Sequence, residues 1–242
     1  MTPDRDRPET LAAALASRIL HDLAGPASGV ASGLELQADP AHRDVREEAR
    51  ALAGASVTEM LQLLAFFREA FGGAGEVRDS KGLEALAKSQ FKTQRTRLDW
   101  AVETPPPPGA ATQALLILVQ VAAGGLARGG TARATIVSGG GGIEIRVEGV
   151  GVSAQVTPEA VDGLGGRPLS QGLSGRWAPA RYLYAVIAAS GGTLQVETFD
   201  TAFALTARIP DHGADSLGAI SAEPSRSPER ARPGDHAIPS NQ

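Results

Sequence analysis

The chain has no cysteine, so neither a disulfide nor a thiolate ligand or nucleophile is open to it. Nowhere do about eighteen apolar residues follow one another, and Met1 to Glu9 is charged and proline-bearing. The expectation is a cytoplasmic chain with neither a membrane span nor a signal peptide. No basic run is present and the formal net charge is −4, which leaves nucleic acid or an anionic membrane surface little to hold. Lysine occurs only at Lys81, Lys88 and Lys92, so the cationic groups are overwhelmingly arginine, and asparagine occurs only at Asn241. What the 242 residues do provide is enough chain for one large domain or two small ones, each able to bury a core.

The most informative stretch lies near the N-terminus. Leu11, Leu15, Ile19, Leu23, Pro26, Val30 and Leu34 recur every three or four residues and define one apolar stripe of a helix. At about 100° per residue, His21 falls roughly opposite that stripe, where an imidazole meets water and another molecule rather than a core. An ordinary surface histidine is the plain alternative. The company of His21 argues against it: Ala14, Ser17, Ala24, Ser28 and Ser32 share its face, and side chains so small allow a second protein to approach closely. Asp22, about 100° around the helix, is placed to orient the imidazole or accept its proton, or is simply a surface carboxylate. Arg18, one turn earlier, either steers a phosphate or is a solvated charge. Pro26 has no N–H, so the Asp22 carbonyl loses its helical partner and a bend is expected there.

Four pieces follow from the pattern. A first helix should start near Thr10, whose hydroxyl is a candidate cap, and run to about Leu36 before Asp39-Pro40 interrupts it. Val45, Ala49, Leu52, Ser56, Met60, Leu63 and Phe67 step like a heptad seam toward Phe71, giving a return helix. An isolated hairpin leaves an outward stripe wet, so the expected solution is a homodimer in which two hairpins form a four-helix bundle. The alternative is a monomer whose hairpin packs on the rest of the chain. Gly72, Gly73 and Gly75 read as a hinge closing a first domain, 1–73.

The second domain, 76–210, carries a helix around Leu83, Leu86, Ala87 and Phe91, then a strand over Leu98 to Glu103 and a stiff Pro105 to Pro108 connector. An apolar helix, Ala111 to Leu126, precedes a hairpin of Thr131 to Val137 and Ile143 to Val147. The glycines 139–142 between these strands precede no helix and no Gly-Lys-Ser/Thr, so they are not a phosphate cradle. A glycine-rich loop, a helix over Pro179 to Ala189, and strands Thr193 to Thr198 and Ala202 to Ile209 complete an α+β sandwich. Residues 211–242 are rich in Ser, Pro, Arg, Glu and Gly and read as a disordered tail. His42, His212 and His236 receive no chemical role.

His21-Asp22-Leu23-x-x-Pro26 resembles the phosphoacceptor box of the histidine kinase superfamily, on the first helix of its dimerisation and phosphotransfer hairpin. The second domain resembles the GHKL, or Bergerat-type, ATPase fold that follows that hairpin. Leu115 to Ala122 stand where the Asn box belongs, Gly149-Val150-Gly151 where the Asp-x-Gly-x-Gly loop belongs, and Ser190 to Val196 match the closing Gly-Gly turn and strand.

The departures are as informative. The resemblance places the two magnesium-binding Asn positions at Ile117 and Val121, and the adenine-binding Asp at Val147. Glu148 is out of register, and no Asn precedes Asn241. Pro179 and Ala180 stand where kinases carry Gly-Leu. Keeping the phosphoacceptor while lacking the nucleotide groups is similar to the histidine phosphotransferases of the alphaproteobacterial cell-cycle phosphorelay, the ChpT family. That resemblance implies that His21 relays a phosphoryl group, with no ATP, cofactor or metal held by this chain. The implied donor is the receiver domain of a hybrid histidine kinase, and the acceptors are downstream response regulators. Ser17, Arg18, Ala24 and Ser28 are the expected receiver-binding residues, and retention of a foldable sandwich without its nucleotide groups makes the degenerate domain the expected docking surface. A dimeric pseudokinase that binds receivers without chemistry, and an active sensor kinase, are the competing readings.

Overall fold

The first two helices owe their close packing to glycine. Helix α1 (Pro8–Ala38) and helix α2 (Arg46–Phe71) approach so tightly that a methyl group on Gly33 would lie 2.7 Å from the Ala49 carbonyl oxygen and 2.9 Å from the Ala53 side chain. Gly29 makes the same accommodation for Ser56. The computed structural model describes residues 8–39, 44–72, 79–91, 95–167 and 174–211. The expected tail, the hinge glycines Gly73 and Gly75, Pro40, and His42, His212 and His236 lie outside them.

The remaining elements are α3 (Ser80–Lys88), β1 (Thr96–Ala101), α4 (Ala110–Gly125), β2 (Gly130–Gly139), β3 (Gly142–Val150), α5 (Pro158–Leu164), α6 (Ala178–Ala189), β4 (Thr193–Thr198) and β5 (Ala202–Pro210). The five strands form one mixed sheet in the order β1-β2-β3-β5-β4, with β1 parallel to β2 and every other pair antiparallel. β2 and β3 are joined through Gly140 and Gly141 at φ +62 and +87, a two-residue turn with both residues left-handed, which only glycine adopts at little cost. The glycine run is therefore hairpin geometry, as its setting between two strands implies.

One face of the sheet is dry. In β3, Ile145, Val147 and Gly149 are buried while Glu144, Arg146 and Glu148 are partly solvated, the alternation of a sheet with one solvated face. On that wet face Arg146 reaches Glu148, Glu197 and Thr206, each at 3.1 Å. Helix α4 covers the dry face, and Ala111 to Val119 are buried without interruption because the sheet lies on one side and α2 and α6 on the other.

The hairpin is not separate from the sandwich. Leu63, Phe66, Phe67 and Ala70 of α2 belong to the same buried cluster as Leu115, Leu118 and Leu183. Phe71 meets Tyr182 edge-on with ring centroids 5.4 Å apart. The chain to Asp211 is accordingly one compact unit, so the base of the hairpin does pack on the rest of the chain, while Leu20, Leu34, Leu61 and Leu64 stay exposed.

Four sequence-based expectations shift. Helix α1 starts at Pro8, so Thr10 is an exposed residue of its first turn and not a cap. Leu52 faces outward because the inward line steps through Ala49, Ser56, Leu63, Phe67 and Ala70. Leu34 is likewise exposed, off the covered part of its stripe. The loop before α6 contains helix α5, started by Thr157, whose hydroxyl accepts from the Ala160 N–H, and by Pro158 in its first turn. Helix α1 continues through Pro26, whose ring is buried.

Candidate functional site

Helix α1 presents His21 to solvent with its side chain 83% exposed. Its Nδ1 lies 3.3 Å from Asp22 Oδ1. The other carboxylate oxygen, Oδ2, accepts from Arg18 Nε at 2.7 Å, the i,i+4 spacing at which helix side chains meet. Asp22 is 17% exposed and Arg18 31%, so the pair is partly withdrawn from water while the imidazole is not. A carboxylate at Nδ1 favours the tautomer with the proton there, which leaves the Nε2 lone pair directed at solvent. Arg18, read from the sequence as either a phosphate-steering group or a solvated charge, is engaged with Asp22.

Ser17, Ala24 and Ser28 are exposed on α1, as is Ser32. Ala14, placed by helical spacing on the same face, is buried. The covering piece is the segment leading into α6: Gly175 packs so closely that a methyl group there would stand 3.1 Å from the Ala14 carbonyl oxygen and 3.3 Å from the Arg18 backbone nitrogen. The open face therefore begins at Ser17, and the sandwich sits one turn below His21. This contact was invisible in the sequence, since a glycine in an irregular loop carries no periodic signal.

The positions that the kinase resemblance associates with nucleotide are mostly filled with hydrocarbon. Ile117 and Val147 are wholly buried in the core, whereas Val121, Pro179 and Ala180 border a cavity. Gly149 is paired with Phe203 across β3 and β5, and a Cβ on Gly149 would collide with the Phe203 ring. Gly125 meets the same ring from α4, its missing Cβ falling 2.9 Å from Phe203 Cε1. Close packing against a ring that is 1% exposed thus accounts for glycine at both positions. Two connected depressions remain beside α4: an open one of about 1030 Å³ bordered by Arg128, Asp162, Arg167 and Asp200, and a smaller one of about 280 Å³ reaching Arg18. Among the described residues no group of three or more His, Asp or Glu side chains has the arrangement of a metal site.

Residues 81–202 match the model of the histidine phosphotransferase C-terminal domain. Of solved structures, a bacterial phosphotransferase matches with a TM-score of 0.72 at 22% identity, over 83% of this chain and 97% of that one. The histidine kinase domain of the blue-light activated kinase EL346 from Erythrobacter litoralis matches with a TM-score of 0.43 at 14% identity, over 76% and 93% of the two chains. The Acinetobacter baumannii histidine kinase AdeS matches with 0.43 at 15% identity, over 81% and 96%. No protein of curated function matches the sequence. The matched domain spans half of the chain, and the chain belongs to the histidine phosphotransferase family, a two-component signalling family, with an α+β fold.

Proposed function

We propose that this chain relays a phosphoryl group between response-regulator receiver domains through phospho-His21, without using ATP. The observation that carries the reading is the solvent-facing imidazole whose Nδ1 is held by the Asp22 carboxylate. A receiver phosphoaspartate placed over α1 is attacked in line by Nε2. The N–P bond forms, the acyl phosphate P–O bond breaks, and its electron pair stays on the receiver's carboxylate. The phosphorylated ring becomes cationic, and Asp22, oriented by Arg18, stabilises the Nδ1 proton. Transfer to a second receiver reverses these steps. Ser17, Ala24 and Ser28 leave room for the receiver, and the sandwich, packed one turn below His21, supplies further docking surface. Any cation the transfer uses belongs to the receiver.

Independence from ATP draws support from Ile117 and Val147 lying in the core and from Phe203 filling the space beside Gly149. The proposed assembly is a homodimer: Leu20, Leu34, Leu61 and Leu64 are exposed on the hairpin, and its close packing sets Leu20 about level with Leu64, forming an apolar surface for a second hairpin. Placement in the cytoplasm, in a cell-cycle phosphorelay fed by a hybrid kinase's receiver, rests on the resemblance of the sequence.

The test is to incubate the protein with a radiolabelled phosphoreceiver. Acid-labile, base-stable label on the wild type and none on His21→Ala is the expected pair of results. Relay between two receivers that survives His21→Ala contradicts the mechanism, and receiver binding that leaves no label on the wild type favours a receiver-binding pseudokinase. Incorporation of label directly from Mg-ATP favours a kinase.

A further inference from the structure

The smaller cavity, about 280 Å³, is walled by two structural pieces that sequence separates widely: Arg18 of α1, and Arg176 with Trp177 just before α6. Among the described residues its lining contains these two guanidinium groups and no carboxylate, in a protein whose overall charge is negative. Arg176 lies over the Trp177 ring at 4.6 Å, which leaves its in-plane N–H donors available to an acceptor. Val121 and Val156 complete an apolar wall.

We propose that this cavity binds a small anion of phosphate or carboxylate type, with its charge between Arg18 and Arg176. The site has a consequence for the proposed relay, and that consequence rests on the reading given above. Arg18 is also the residue that holds Asp22 at 2.7 Å. An anion in the cavity competes with Asp22 for the same guanidinium, and a carboxylate released from Arg18 no longer fixes the His21 ring. Occupancy would therefore report a metabolic signal at the phosphoacceptor without touching the imidazole.

Calorimetric titration of the full chain with inorganic phosphate, ribose 5-phosphate and AMP, against ribose and adenosine as neutral counterparts, tests the site. Saturable binding of an anion is expected, weakened by about tenfold or more by Arg176→Ala. Gly124→Leu keeps both charges and fills the cavity from a position where an added Cβ meets nothing within 4 Å, so it should abolish binding while the fold, checked by circular dichroism, is kept. Phosphate arms alone binding identifies the headgroup as sufficient, in agreement with the proposal. No anion binding, equal binding of the neutral compounds, or binding untouched by both substitutions overturns it. The coupling is read separately, as a ligand-induced change in the His21 imidazole resonances of labelled protein. Resonances that stay fixed at saturation overturn the coupling. Neither measurement uses phosphotransfer, so failure here is distinguishable from failure of the relay.

Discussion

Replacing Gly149 by alanine puts a methyl group into the Phe203 ring. The ring has no easy retreat: it is 1% exposed, and Gly125 closes on it from α4. Overpacking of a well-filled core costs about 1–3 kcal/mol, and the smaller entropy of an unfolded chain bearing alanine returns roughly 0.4–1 kcal/mol. The expected net loss is about 1–1.5 kcal/mol, or roughly 2–6 °C in Tm for a unit of this size. Phe203→Leu alone should cost about 1–2 kcal/mol from the lost contacts and the void. In the double variant the methyl group occupies space that the smaller side chain vacates, so the losses should fall short of their sum by about 1 kcal/mol or more. Urea midpoints by far-ultraviolet circular dichroism, with constant slope, measure all four corners of the cycle. Losses that add to within about 0.5 kcal/mol would show that Gly149 is not shaped by Phe203, and would reopen the question of what it approaches.

Phe66 is fully buried where the hairpin joins the sandwich. Phe66→Ala should cost about 3–5 kcal/mol and shift one cooperative transition, and two separate transitions would show that the hairpin unfolds by itself. Gly33→Val should part α1 from α2, because Ala49 and Ala53 leave no space for a branched side chain. The readout is loss of helical ellipticity with a lowered midpoint, and unchanged stability contradicts the close approach. Burial raises the pKa of the Tyr182 hydroxyl from its ordinary value of 10.0, with the hydrogen bond from Gln113 acting the other way. The neutral phenol is therefore favoured in the folded state, and its stabilisation is present below about pH 10 and lost as pH rises through the higher folded value. Stability curves should fall more steeply above pH 10 for the wild type than for Tyr182→Phe, and parallel curves would exclude the effect.

Much of this architecture is legible in the sequence, because hydrophobic period reports secondary structure directly. The α1 and α2 seams, the alternation of β2 and the continuous apolar run of α4 each appear within a residue or two of their expected bounds, and β3 runs three residues past its expected end at Val147. Helix α5 was missed because its seven residues contain a glycine and follow an irregular stretch, although Thr157-Pro158 is a recognisable start. Period identifies a face but not its partner. The apolar base of α2 read as a seam for another hairpin, whereas Phe66, Phe67 and Phe71 meet α6 and the core of the sandwich. Likewise the four-residue spacing of Arg18 and Asp22 was visible, yet their mutual engagement depends on rotamers and on the segment around Gly175, which has no signature. His21 itself was legible because exposure opposite an apolar stripe is a helical property, independent of what packs on that stripe.

The most direct test of the account is the chemistry of one nitrogen. Phosphorus NMR and mass spectrometry of the protein after incubation with a phosphorylated receiver should show a single phosphohistidine at His21, bonded through Nε2, with the label passing on when a second, unphosphorylated receiver is added. A phosphoryl group on Nδ1, on another residue, or acquired only from Mg-ATP would contradict it.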